Sequence, residues 1–191
     1  LAANAVNAAV ILVGEERRVR SDGTVRSATS FESWSVEERS PGAFGAFDAV
    51  VDEARSAGLN TSSSSASLQS NIADDLLSAS ALTRAAASYG ESTGSYGSLS
   101  GNALSEFEVT FQVIESTPFQ LTGALPLDQI LGSPRGTAQI MLTSASSANG
   151  DFRLSFGNSY VYSDFSQMIS IGGILEPNTY TLRAIAGITS D

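Results

Sequence analysis

Enzymatic chemistry needs side chains that take protons, attack carbonyls or hold ions, and this sequence offers few of them. Histidine, cysteine and lysine are all absent from its 191 residues. That removes the Ser-His-Asp and Cys-His nucleophiles, zinc sites of the Cys/His kind and Schiff-base lysines. A Gly-x-Ser-x-Gly pattern runs from Gly90 to Gly94, but Ser92 has no imidazole to accept its proton. Carboxylates remain. Glu106 and Glu108 share one face of an expected strand, within the roughly 5 to 9.5 Å that separates a glycosidase's two acids. Both nevertheless fall where solvated polar positions are expected. Asp48, Asp52 and Glu53, or Asp74 and Asp75, are the candidate calcium ligands, and neither group follows the D-x-D-x-D-G loop pattern. The expectation is a non-enzymatic chain with no catalytic residue and no cofactor, a structural calcium ion being the one metal worth testing.

Recognition is the chemistry left over. Sugars stack on exposed aromatic rings, which makes Trp34, Tyr160 and Tyr162 the candidate glycan contacts, with Tyr89 and Tyr96 behind them. The competing reading packs Trp34 and most of these tyrosines at the ends of the core. Asn60-Thr61-Ser62 matches a glycosylation acceptor. Twenty acids against ten bases give a formal net charge of −10, and every base is an arginine. Nucleic acid is excluded as a partner on that balance, because its binding rests on basic side chains neutralising phosphates. Anionic membrane surfaces are disfavoured for the same reason. No apolar run approaches the roughly 20 residues of a membrane-spanning helix.

The elements that position these residues read as strands. From Ala103 the odd positions Phe107, Val109, Phe111 and Val113 are apolar, while Glu106, Glu108, Thr110 and Gln112 alternate with them. A period of two puts one set on each face of a strand. The same alternation returns at Phe119–Leu125, Ala138–Leu142, Phe152–Phe156 and Tyr180–Ile188, with turn residues between. Asp22-Gly23 predicts a tight hairpin with Val19 and Val25 on its arms. Asn60–Ser65 reads as a loop by composition, and Ala66–Ser88 reads as strand over helix. Strands every 8 to 12 residues, separated by turn chemistry, point to an all-β protein, an antiparallel β-sandwich or jelly roll.

The first residues stand apart. Leu1–Val13 holds Val6, Val10, Ile11, Leu12 and Val13, and burying each large aliphatic contributes on the order of 1.5 to 3 kcal/mol. Three readings fit: the first strand of the chain's own sheet, a donor strand completing a neighbour's sheet, or a buried helix. On the donor reading, residues 1–13 are an assembly strand and residues 14–191 a single β-sandwich domain whose partner is another copy of itself.

Three stretches carry a family resemblance: FEVTFQVIESTPFQLTGAL at 107–125, TAQIMLTS at 137–144 and GGILEPNTYTLRAIAG at 172–187. They resemble secreted bacterial β-sandwich proteins exported with a C-terminal Pro-Glu-Pro sorting signal, the PEP-CTERM type. The resemblance implies an extracellular, non-enzymatic sandwich of the cell surface or biofilm matrix, reached after removal of a signal peptide. It transfers no catalytic residue. The expected function is a self-assembling filament or matrix subunit joined by strand complementation, the alternative being a secreted carbohydrate-binding module.

Overall fold

A computed structural model describes residues 10–73, 76–90, 99–127, 135–144, 152–161 and 165–190, all in strands and their connections. In chain order the strands are β1 (Val10–Arg26), β2 (Phe31–Arg39), β3 (Gly45–Ala57), β4 (Asn60–Ala73), β5 (Leu76–Ser88), β6 (Leu99–Val113), β7 (Thr117–Leu127), β8 (Arg135–Ser144), β9 (Arg153–Val161), β10 (Phe165–Leu175) and β11 (Asn178–Ser190). Every strand pair is antiparallel.

Six strands form one layer in the order β2-β1-β6-β11-β8-β9. Facing it are two separate pieces, β3-β4-β5 and β10-β7. The three-stranded piece packs over β2, β1, β6 and β11, and the two-stranded piece over β8 and β9. The protein is therefore an antiparallel sandwich whose second layer is in two parts.

The alternation that marks β6 in the sequence is also what places it. Phe107, Val109, Phe111 and Val113 point inward and are buried. They meet Phe47 and Val51 of β3, Leu68 and Ile72 of β4, Leu142 of β8 and Tyr180 of β11. Partners on both edges, β1 and β11, leave β6 no free backbone groups along most of its length.

Two expectations are corrected, and the acceptor pattern at Asn60 proves to be enclosed. Asp22-Gly23 makes no hairpin, because β1 runs unbroken through it and pairs with β2 and β6 on its two edges. Gly23 serves close approach, since a Cβ there would overlap the Trp34 ring and the Ser100 carbonyl. The chain instead turns at Ser27–Ser30, where Ser27 N–H donates to the Ser30 carbonyl at 2.9 Å. Asn60–Ser65 is the start of β4 and not a loop. Its inward serines bond across the sandwich: Ser62 Oγ to the Ser100 carbonyl at 2.9 Å, and Ser64 Oγ to Ser21 Oγ at 2.7 Å. Serine is polar by composition yet small enough to let two sheets close until its hydroxyl reaches the opposite strand. Asn60 is 3% exposed, its amide nitrogen donating to the Arg26 carbonyl and its oxygen accepting from Gly90 N–H. A side chain so enclosed cannot carry a glycan in the folded protein.

Candidate functional site

A cleft of about 550 Å³ lies between β5 and β7. Its floor is made by Phe107 of β6, Ala184 and Ala186 of β11 and Ala138 of β8, and its walls by Ala79–Arg84 and by Ala124 and Leu125. The walls are the edges of β5 and β7 that pair with nothing in the sheet order. Ala79 and Ala81 share the inward face of β5 with the buried Ala85, yet both are exposed. Inward side chains reach solvent here because, among the described residues, no strand stands beside them.

The walls run in one direction. Ser62 bonds to Ser100 and Ser105 to the Ser67 carbonyl, so β4 follows the direction of β6, and β5, antiparallel to β4, opposes it. Leu125 packs with Ala138, which is level with Ala186 and Ser105, while Phe119 stacks edge-on with Phe152 beside Tyr180 and Phe111. β7 therefore also opposes β6.

Charged groups away from the cleft tie strands together. Glu106, only 4% exposed on the outer face of the six-stranded layer, accepts from Arg18 Nε of β1 and Arg183 Nε of β11, each at 2.6 Å. Arg183 also approaches Glu108 at 3.6 Å. The two carboxylates whose spacing would suit a glycosidase are thus both held by guanidinium, Glu106 through both of its oxygens. Arg17, 1% exposed, bonds Glu15 at 2.7 Å and the carbonyls of Gly45 and Ala43 at 2.8 and 2.5 Å, with its guanidinium 5.2 Å from the Phe47 ring centre. It fastens the β2–β3 connection to β1. No sequence pattern marks this buried cation; its only trace is an arginine on the same face as Val19 and Ser21.

The candidates from the sequence are dispersed. Trp34 is 7% exposed, and its Nε1 donates to Ser21 Oγ at 3.1 Å, so it offers no ring face to a sugar. Burial overturns the glycan-contact assignment for this residue and favours the packing reading. Tyr89 is exposed at the end of β5, and Tyr160 stands in β9. Tyr96, Tyr162, Ser92, Asp74, Asp75 and Val6 lie outside the described residues. Val10, Ile11, Leu12 and Val13 belong to β1, where Val10 is level with Val113 and Leu12 with Phe111 of the same chain. Val10 and Leu12 pack on the core while Ile11 and Val13 face outward and are exposed. Asp48 and Asp52 lie on the outward face of β3, and among the described residues no group of three acids is placed to hold a metal ion. No helix among the described residues is long and apolar enough to cross a membrane.

Fold and cleft together define the class: an all-β antiparallel sandwich with an interrupted second layer. No protein-family model, no curated protein and no solved structure matches the chain.

Proposed function

We propose that this chain is a non-enzymatic structural protein of the extracellular space, a subunit that self-assembles by strand complementation into a surface filament or biofilm matrix. One observation carries the reading: among the described residues the second layer has five strands against six, with two unpaired edges facing each other across an apolar-floored cleft. A free edge bordering open core gains both backbone hydrogen bonds and apolar burial when a strand is added. The absence of histidine, cysteine and lysine supports a role without covalent or acid-base chemistry, and the guanidinium ties of Glu106 and Glu108 agree with it. The likeness of residues 107–187 to secreted surface proteins supports the extracellular placement. Sedimentation of the full chain over a wide concentration range, with electron microscopy of the heaviest fraction, tests the reading. Assemblies are expected; a chain that stays monomeric throughout overturns it.

A further inference from the structure

Resting on that reading, we infer that the cleft between β5 and β7 is the acceptor site, and that its occupant is residues 1–9 of a second copy, running antiparallel to both walls. Because β5 and β7 point the same way, one strand opposed to them pairs antiparallel on both edges. The layer then reads β3-β4-β5, incoming strand, β7-β10, six strands over six. The incoming strand covers the half-buried Ala184 and Ala186 and takes Ala79 and Ala81 out of solvent.

The chemistry of the site selects this occupant. A strand entering the core must bring no charge, and Leu1–Ala9, LAANAVNAA, has none in a chain that carries 30 charged side chains. Its alanines suit a cleft walled by Ala79, Ala81 and Ala124. Nine residues extend about 30 Å, more than the six-residue wall Ala79–Arg84 requires.

Position argues for a second copy. Val10 lies in the six-stranded layer beside Val113, two strand spacings from β11 and on the other side of the core from the cleft. With about 4.8 Å between strands and about 10 Å between sheets, the chain's own segment would use about four residues in crossing. The segment of a neighbour runs on from its own β1 without that crossing.

Direction then fixes how copies meet. The occupant enters at the Gly101 end of β6, leaves at the Val113 end, and continues into its own β1, which starts at its own Val113 end. Two copies thus face each other by their Val113 ends and exchange segments reciprocally, an isologous two-fold pair. This exchange uses both segments and both clefts, so strand complementation closes at the dimer, and the larger assembly is built of strand-swapped dimers meeting through other faces.

Single-cysteine variants test this in a chain that has no cysteine of its own. Ala3→Cys or Ala9→Cys is mixed with Ala79→Cys or Thr83→Cys, and the mixtures are bridged with a short bismaleimide. Links between copies are expected for Ala3 with Thr83 and Ala9 with Ala79, several-fold above the two other pairings, and deletion of Leu1–Ala9 abolishes the dimer. The opposite pattern means parallel insertion and a head-to-tail chain, which overturns the swapped pair. Links found only inside one doubly substituted chain overturn the second copy as donor. If the full chain associates yet gives no link, or still dimerises after the deletion, the cleft fails as the acceptor while self-assembly stands; a monomer throughout defeats self-assembly itself.

Discussion

Gly23 lies beneath the indole of Trp34, its register partner across β1 and β2. The ring covers Gly23 and reaches Ser21 Oγ with its N–H at 3.1 Å. A methyl group at Gly23 would meet the ring and the Ser100 carbonyl together. Gly23→Ala is expected to destabilise the fold by about 1 to 3 kcal/mol through overpacking, read as a lower urea midpoint at unchanged slope. Trp34→Leu also loses stability, but combined with Gly23→Ala the losses should sum to less than additive, since the smaller side chain frees the space. Strictly additive losses would show that the two residues do not share that space.

Arg17 makes a second prediction, about charge. Its guanidinium and the Glu15 side chain are each only 1% exposed. Removing one member of such a pair strands the other in a dry interior, at about 3 to 5 kcal/mol. Arg17→Ala should fall in that range by chemical denaturation. Arg17→Lys should recover little of it, because one ammonium cannot span the Ala43 and Gly45 carbonyls while also meeting Glu15. Full recovery by lysine would mean that charge alone matters.

Glu106 is tied to arginines that are more open, with Arg18 26% and Arg183 39% exposed in their side chains. Glu106→Gln is therefore expected to lose less than Arg17→Ala, about 1 to 2 kcal/mol at low salt. The loss should shrink in 1 M salt, where the screening length falls to about 3 Å. A loss insensitive to salt would assign Glu106 a role in packing instead.

Much of the fold is legible in the sequence because alternation is a direct record of the pleat. Phe107, Val109, Phe111 and Val113 could be assigned to one buried face before any coordinates, and so could Phe119–Leu125 and Tyr180–Ile188. Turn chemistry was less faithful. Asp22-Gly23 has the dipeptide a primed hairpin prefers, but the space needed by Trp34, eleven positions away, decides what Gly23 does. The hairpin between β3 and β4 is made instead by Gly58 and Leu59, where Gly58 takes φ of 60°. Asn60–Ser65 misread for a related reason: composition counts hydroxyls as solvent-facing, while Ser62 and Ser64 spend theirs on the opposite sheet. The cleft is invisible in the sequence, because nothing marks Ala79 and Ala81 off from other inward alanines until β5 is seen to have no partner on that edge among the described residues.

Alkaline pH supplies the last prediction. Tyr180 is 3% exposed, stacks on Phe111 at 5.8 Å and donates its hydroxyl to the Glu176 carbonyl at 2.9 Å. Burial disfavours the phenolate and raises its pKa above the ordinary 10.0. The folded state therefore holds this proton more tightly than the unfolded chain. That contribution to stability is complete below pH 10.0 and is lost as pH rises from there through the higher folded value. Tyr180→Phe loses one hydrogen bond, about 1 kcal/mol near neutrality, and with it the titrating group. The difference between wild type and Tyr180→Phe in urea midpoint should be constant up to about pH 9 and narrow above it. A difference that stays constant to pH 12 would place the phenolate in water even in the folded state.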